Sequence, residues 1–406
     1  MEESLTINNA ASCLTRRQTA SPNPDRGRGT AASLGLFLPM PASKAVGFCV
    51  CLTDFTRRTL VAISAETRVG GDPSNCLVKN SWFHQGCVAK FPSSLMATAP
   101  PPLARLKFWG VRGSIPVPGP GTIRYGGNTA CVEVRADGEI IVLDAGTGIR
   151  SLGLALENEF GSQPIKIALL ITHVHWDHIQ GFPFFVPSYN DKNLLRIYGY
   201  DGADTGLREI LKGQMTTPFF PVRLYDLPGR LYIKKLETMD FEIGKVRVRA
   251  KYVNHPGVCV GYRLDTSSGS VAYLPDNEPY DAFKLHAVKT KLLSPEQTQK
   301  RAVTERAALV TFLEACDVLI LDTQYTDEEY KHHVGWGHGS LSTGVALALD
   351  ANVRKLVLFH HDPDHDDKMI DKMVKQARRL VEKSGKTLEV VGAREGEEYA
   401  LRPEPA

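Results

Sequence analysis

The stretch IKIALLITHVHWDHIQGF, residues 165–182, decides how this chain is read. The apolar run IKIALLI (165–171) has the length and composition of a buried strand, and it ends where metal-binding residue types begin. His173, His175, Asp177 and His178 then fall within six positions. On an extended strand exit, His173 and His175 are two apart and project to the same side. Asp177 and His178 are adjacent, so they can serve a second centre. A solvated polar loop accounts for a single His-x-His. Four ligand types in the order H-x-H-x-D-H, directly after a buried strand, point instead to a binuclear metal site. Imidazole and carboxylate together suit two divalent ions, Zn²⁺ first, with Fe or Mn as alternative occupants.

Outward from this stretch the chain alternates short apolar runs with helical patterns. Strands are expected at 106–109, 131–135, 140–144, 165–172, 194–198, 231–235, 246–253, 258–265, 271–274, 318–321 and 356–360. Helices are expected at 149–157, 205–211, 304–315, 340–350 and 366–383, the last with an apolar stripe from Met369 to Val381. Strand-rich blocks recur in both halves, each followed by helices. That order suits an α/β fold in which two sheets pack face to face with helices outside.

Residues 1–95 read differently. They are rich in Ser, Ala, Arg and Gly and show no sustained periodicity, so they are expected to be a disordered extension, or upstream sequence ahead of a start at Met96. The stretch AASLGLFLPMPASKA (31–45) loosely resembles an export signal but lies far from Met1 and is broken by proline. An Arg/Ser-rich organellar transit segment is the alternative, against which Glu2, Glu3 and Asp25 count. Cys49, Cys51, Cys76, His84 and Cys87 have the spacing of no standard zinc finger. The domain of interest is therefore 96–406.

Composition narrows the class. The formal charge is +3, of which +4 lies in residues 1–95 (ten Lys/Arg against six Asp/Glu), leaving the remainder at −1. A near-neutral body gives no reason to expect a nucleic-acid-binding field, though it does not exclude a nucleic-acid partner. No run approaches the ~18 apolar residues of a membrane span. Cys131, Cys259 and Cys316 are too scattered for a disulfide framework, which suits a cytoplasmic protein.

The HxHxDH motif of residues 173–178 resembles that of the metallo-β-lactamase superfamily, and the resemblance runs over about residues 105–402. It implies an αββα four-layer sandwich. The superfamily's other motifs find matches in order: Asp144 in IIVLDAGTG, His255 in KYVNHPG, Asp276 in VAYLPDNEP and His360 in RKLVLFHHDPDH, where the adjacent His361 is the alternative. The resemblance implies that His173, His175 and His255 hold one metal, Asp177, His178 and His360 the other, and that Asp276 bridges them. Asp144 is expected to orient a ligand. The GTGIRS turn after it is not a dinucleotide fingerprint, because Ser151 stands where the third glycine is needed.

Hydrolysis through a shared hydroxide is the chemistry such a pair supports. The opening RLKFWGVRGSIPVPGPGTIRYGGNTACVEV and the aspartate at 276 resemble the ribonuclease Z and cyclic-nucleotide phosphodiesterase branch, as does GWGHGSLST (335–343). By that match His338 is a general acid, and Asp177, His338 and Asp144 are the catalytic set. Arg112 and Asn128 are candidate substrate contacts, Arg112 equally a brace of its own loop. The expected activity is a phosphodiesterase on a small cyclic or diester phosphate. The alternatives are a tRNA 3′-end endonuclease, a lactonase or thioesterase, and a non-catalytic binding protein on the same fold. Against a tRNA substrate, residues 201–231 lack the Gly- and Lys-rich protruding arm of ribonuclease Z. A homodimer is implied by analogy alone, and no membrane partner is expected.

Overall fold

The computed structural model describes residues 104–200, 206–280 and 294–401. The extension expected at 1–95 and the helix start at Thr205 lie outside the described residues.

The first sheet contains β1 (Arg105–Gly110), β2 (Cys131–Ala136), β3 (Glu139–Leu143), β4 (Lys166–Leu170), β5 (Leu194–Gly199) and β6 (Arg230–Lys235). The second contains β7 (Asp240–Ile243), β8 (Val246–Tyr252), β9 (Val260–Thr266), β10 (Gly269–Leu274), β11 (Val318–Asp322), β12 (Lys355–Phe359) and β13 (Glu389–Gly392). The last strand, β14 (Glu398–Ala400), returns to the edge of the first, giving the orders β14-β1-β2-β3-β4-β5-β6 and β13-β12-β11-β10-β9-β8-β7. The two sheets share one pattern. In each, three antiparallel pairings lead into three parallel ones, from β3 onward in the first sheet and from β10 onward in the second. It follows that β1, β3 and β4 point one way, as do β8, β10, β11 and β12, so their C-terminal ends can gather functional residues.

The helices are α1 (Gly148–Phe160), α2 (Trp176–Ile179), α3 (Leu207–Gln214), α4 (Pro295–Leu313), α5 (Asp327–His333), α6 (Leu341–Asp350) and α7 (Asp367–Ser384). Between the sheets lies one buried cluster, with Phe108, Leu143 and Leu170 meeting Tyr262, Tyr273 and Phe359. On the outer face of the first sheet, Leu152 and Leu156 of α1 and Leu211 of α3 pack with Leu169 and Ile197. On the other side, Leu309 of α4, Val345 of α6 and Met373 of α7 pack with Leu319 and Leu358. The layers are therefore helix, sheet, sheet, helix. Each fully buried large apolar side chain contributes about 1.5–3 kcal/mol. The α7 stripe is buried at Ile370, Met373, Val374, Ala377 and Val381.

Several elements depart from the sequence expectation. The helix expected from 304 begins at Pro295, because Ser294 and Gln297 form a capping box and Pro295 occupies the first helical position. Its polar first turns carry no apolar stripe to betray it. Strands β7, β13 and β14 and helices α2 and α5 stand outside the sequence expectation, α2 where a strand exit and loop are expected. Strand β14 exists because β1 offers it a free edge, pairing Arg105 with Ala400, and α5 buries no residue and is started by a Thr326–Glu329 capping box. Among the described residues, no helix is long and apolar enough to cross a membrane.

Ser294→Ala removes the acceptor for the Gln297 N–H. Urea unfolding is expected to show a loss of about 1 kcal/mol with an unchanged m-value. No loss would mean that the first turns of α4 contribute nothing to stability.

Candidate metal centre

The parallel topology brings the ligand-type residues to one end of the sandwich. Asp144 follows β3, His173 to His178 follow β4, His255 follows β8, Asp276 follows β10 and His360 follows β12. All of them except His175 are buried. Among the described residues three donor groups form. His173, His175, His255 and Asp276 make one and Asp177, His178 and His360 another, while Asp276, His338 and His360 make a third that overlaps both, each with ligand atoms within 4.8 Å of one another.

Asp276 divides its two oxygens between the first two groups. Its Oδ2 lies 3.5 Å from His173 Nε2 and 3.6 Å from His255 Nε2. Its Oδ1 lies 3.1 Å from His178 Nε2 and 3.2 Å from His360 Nε2. Asp177 Oδ2 completes the second group, 3.2 Å from His178 Nε2 and 3.1 Å from His360 Nε2. In the first, His175 Nδ1 stands 3.2 Å from His255 Nε2. Close as these atoms are, His173 Nε2, His178 Nε2 and Asp276 Oδ1 are buried and have no partner in hydrogen-bonding geometry. Buried polar atoms without partners are rare and costly. Their convergence, together with a donor set of imidazole and carboxylate, fits a pair of divalent cations.

The nitrogens turned away from the cluster are held. Thr172 Oγ1 lies 3.1 Å from His173 Nδ1, Asp144 Oδ2 2.8 Å from His178 Nδ1, the Gly337 carbonyl 2.9 Å from His255 Nδ1 and Gln324 Oε1 3.0 Å from His360 Nδ1. Such contacts set ring orientation and tautomer. Gln324 and Gly337 were not singled out from sequence, and neither carries a residue-type signal for this task. Gly337 has φ +93°, and a Cβ there would meet the His255 ring at 2.4 Å, so glycine is required.

The charges are strongly coupled. Burial, reinforced by His178, pulls His173 well below the usual imidazole range. Burial opposes charge on His178 as well, but Asp177, Asp276 and Asp144 outweigh it and hold that ring well above the range. Burial would raise Asp177 and Asp276, yet His178 and His360 keep both carboxyls below their ordinary value. The backbone is strained here too. Of the six non-glycine residues with positive φ among the described residues, Ser114 (63°), Asp144 (61°) and His360 (59°) belong to this end of the sandwich. Ser114 donates its N–H to Asp177 Oδ2 at 2.8 Å.

His338 lies beside the cluster, its Nδ1 3.0 Å from Asp322 Oδ2 and 3.9 Å from Asp276 Oδ2. Burial pulls its imidazole down, but Asp322, Asp276 and Asp177 outweigh that and push it up to about 9. Asp322, at the end of β11, also accepts from the Asn277 and Gln324 backbone N–H groups. It was missed in the sequence reading, although a carboxylate closing an apolar strand was the available signal. His361 points elsewhere, its Nε2 2.9 Å from the Ala393 carbonyl. The two candidate substrate contacts are engaged within the chain. Buried Arg112 donates to the carbonyls of Gly126, Asp362 and His365. Asn128 Nδ2 donates to Glu395, and its Oδ1 accepts from Thr147. Loop carbonyls take three of the Arg112 N–H donations, through Nε and Nη1, while its Nη2 is buried without a partner.

Residues 140–294 match a family described as "Beta-lactamase superfamily domain". A ribonuclease Z of Pyrococcus horikoshii is 25% identical over 281 residues, covering 59% of this chain and 83% of that protein. The ribonuclease Z of Thermoplasma acidophilum is 25% identical over 305 residues, 68% of this chain and 91% of that protein. Among solved structures, the metallo-beta-lactamase fold protein YhfI from Bacillus subtilis has a TM-score of 0.51 at 17% identity, covering 73% of this chain and 98% of that one.

A Cβ on Gly113 would fall 2.4 Å from the His360 ring. Gly113→Ala is expected to displace that ring, to destabilise the protein by about 1–3 kcal/mol and to lower metal content per chain, read by elemental analysis. A variant with unchanged stability and metal content would show that the loop does not hold His360 in place.

Proposed function

We propose that this chain, which belongs to the metallo-β-lactamase superfamily in its ribonuclease Z-like branch and is a metal-dependent hydrolase, cleaves small phosphodiesters, cyclic or open. The observation that carries the reading is the Asp322–His338 pair beside the donor cluster. A phosphodiester expels an alkoxide, which needs a proton, whereas a thioester expels a thiolate, which does not. His338 is the donor. Asp322 takes Nδ1, which leaves Nε2 as the nitrogen that gives a proton to the leaving ester oxygen.

His173, His175 and His255 would hold one ion, Asp177, His178 and His360 the other, with Asp276 shared. Zinc is the ion this set suits first, with Fe or Mn as alternatives. When bound, the ions supply Lewis acidity and lower the pKa of water. The protein's own part is orientation. Asp144 holds the His178 ring, the Ser114 N–H holds the Asp177 carboxylate, and the strained backbone keeps both from relaxing.

A small substrate is favoured by two observations. The cleft bounded by Ser114, His175, Trp176, Asp177, Asp276 and His338 has a volume of about 470 Å³, within the range of small-molecule sites. The segment before β6 folds back on the core, with Leu207, Leu211, Met215, Leu224 and Leu227 buried, so its described residues form no protruding arm. Precursor tRNA is the second reading, favoured by relatives named ribonuclease Z. Residues 96–406 form the hydrolase domain in this reading. A cytoplasmic setting belongs to this reading, with the free, buried thiols of Cys131, Cys259 and Cys316 in its support. Homodimer assembly belongs to the same reading, and sedimentation would check it.

His338→Gln is expected to retain both metals and to slow cleavage of a cyclic nucleotide by roughly 10²–10⁴-fold. Bis(p-nitrophenyl) phosphate, whose leaving group needs no proton, should slow far less. Equal losses on the two substrates would sink the general-acid role. Cleavage of precursor tRNA but of no small diester would sink the small-substrate reading. Chelation should lower the melting temperature, and Zn²⁺ should restore it, because an ion bound only by the folded state stabilises it.

A further inference from the structure

Trp176 sits between two candidate ligands, His175 and Asp177, and nothing in the proposed chemistry uses it. It is 80% exposed, an unusual state for an indole. The other described tryptophans have internal partners. Trp109 donates to Glu133 and lies under Lys107, and Trp336 rests against the His333 ring at 4.8 Å. Trp176 has no such ring contact or hydrogen bond among the described residues. Its backbone is fixed by the short helix α2, where its carbonyl accepts from Gln180 at 2.7 Å, so the ring is carried on a rigid support rather than a loose loop.

The indole also helps to wall the cleft. Ser114, His175, Asp177, Asp276 and His338 make the rest of that wall polar, and only Val174 joins Trp176 as an apolar member. A site that is polar where the phosphate reacts, and flat and apolar to one side, complements a ligand whose planar ring is joined to the phosphate through a sugar-length spacer. We propose that Trp176 is a stacking platform for a nucleobase on the substrate, so that the preferred phosphodiesters are nucleoside esters rather than simple alkyl esters. The inference rests on the phosphodiesterase reading and sharpens its substrate class.

The test uses the full chain loaded with zinc and two esters that share a leaving group, thymidine 5′-(p-nitrophenyl phosphate) and methyl p-nitrophenyl phosphate. The unsubstituted enzyme should prefer the thymidine ester. Trp176→Ala should lower kcat/KM about tenfold more for that ester than for the methyl ester, chiefly through KM, as loss of base–aromatic stacking predicts. Trp176→Phe should recover most of the difference. Independently of turnover, thymidine 5′-monophosphate should quench tryptophan fluorescence in the unsubstituted chain and much less in Trp176→Phe. Equal losses on both esters with the same quenching in both proteins would overturn the platform. So would a Trp176→Ala effect confined to oligomeric state, which would make the ring an interface residue. If neither ester is turned over but the Trp176-dependent quenching persists, the phosphodiesterase reading fails and the platform stands.

Discussion

The buried carboxylate of Asp144 is the constraint on which the reactive end of this molecule depends. It is fully enclosed, and it accepts from the Thr172 N–H and hydroxyl, from the Tyr273 hydroxyl and from His178 Nδ1. Those donors come from the exit of β4, from the second sheet and from α2. One carboxylate thus ties together the two sheets and the helix that carries a candidate ligand. A buried charge is tolerated only when its hydrogen bonds are complete, so none of these partners can move alone. Val260 N–H to the Thr172 carbonyl, and Tyr262 hydroxyl to the Ile171 carbonyl, add further links across the same seam.

From that anchor the site follows by geometry. Strands that run the same way end at the same edge, and the chain must turn sharply as it leaves them. Asp144 and His360 do so in left-handed conformations that cost about 1–3 kcal/mol each. The interior that accepts this cost is close-packed on both faces of both sheets. The packing that tolerates this strain holds side chains where imidazole and carboxylate atoms without hydrogen-bond partners converge.

The loops around the cluster have divided tasks. Arg112 pins the β1 loop to carbonyls near His365, which presents the Ser114 N–H to Asp177. Glu278 accepts from the N–H groups of Gly335 and Gly337 and from the Tyr330 hydroxyl, and so holds the loop that leads into His338. The three consecutive residues Asp276, Asn277 and Glu278 therefore serve the donor cluster, the Asp322 carboxylate and the His338 loop in turn. Support of this kind fixes the His338 ring relative to the donor cluster.

Much of this was legible in the chain itself. An apolar strand running into HxHxDH already points to an end rich in metal-ligand types, because period-two geometry and residue chemistry are local properties. The layered order and the α7 stripe are legible for the same reason. Other features were decided by tertiary contact. The choice between the adjacent His360 and His361 depends on a left-handed turn that sends one ring to Asp177 and the other to the Ala393 carbonyl. By type Arg112 suits a phosphate or a loop brace equally, and only the fold brings it the carbonyls of Asp362 and His365, about 250 residues away in sequence. Strand β14 is invisible until β1 offers an edge, and Asp322 becomes significant only when His338 is brought to it. By itself, then, the sequence determined which chemistry the chain can host, since ligand types and strand periods are written in neighbouring residues. Only the tertiary structure decided which of several similar side chains face the site, because that depends on partners distant in the chain.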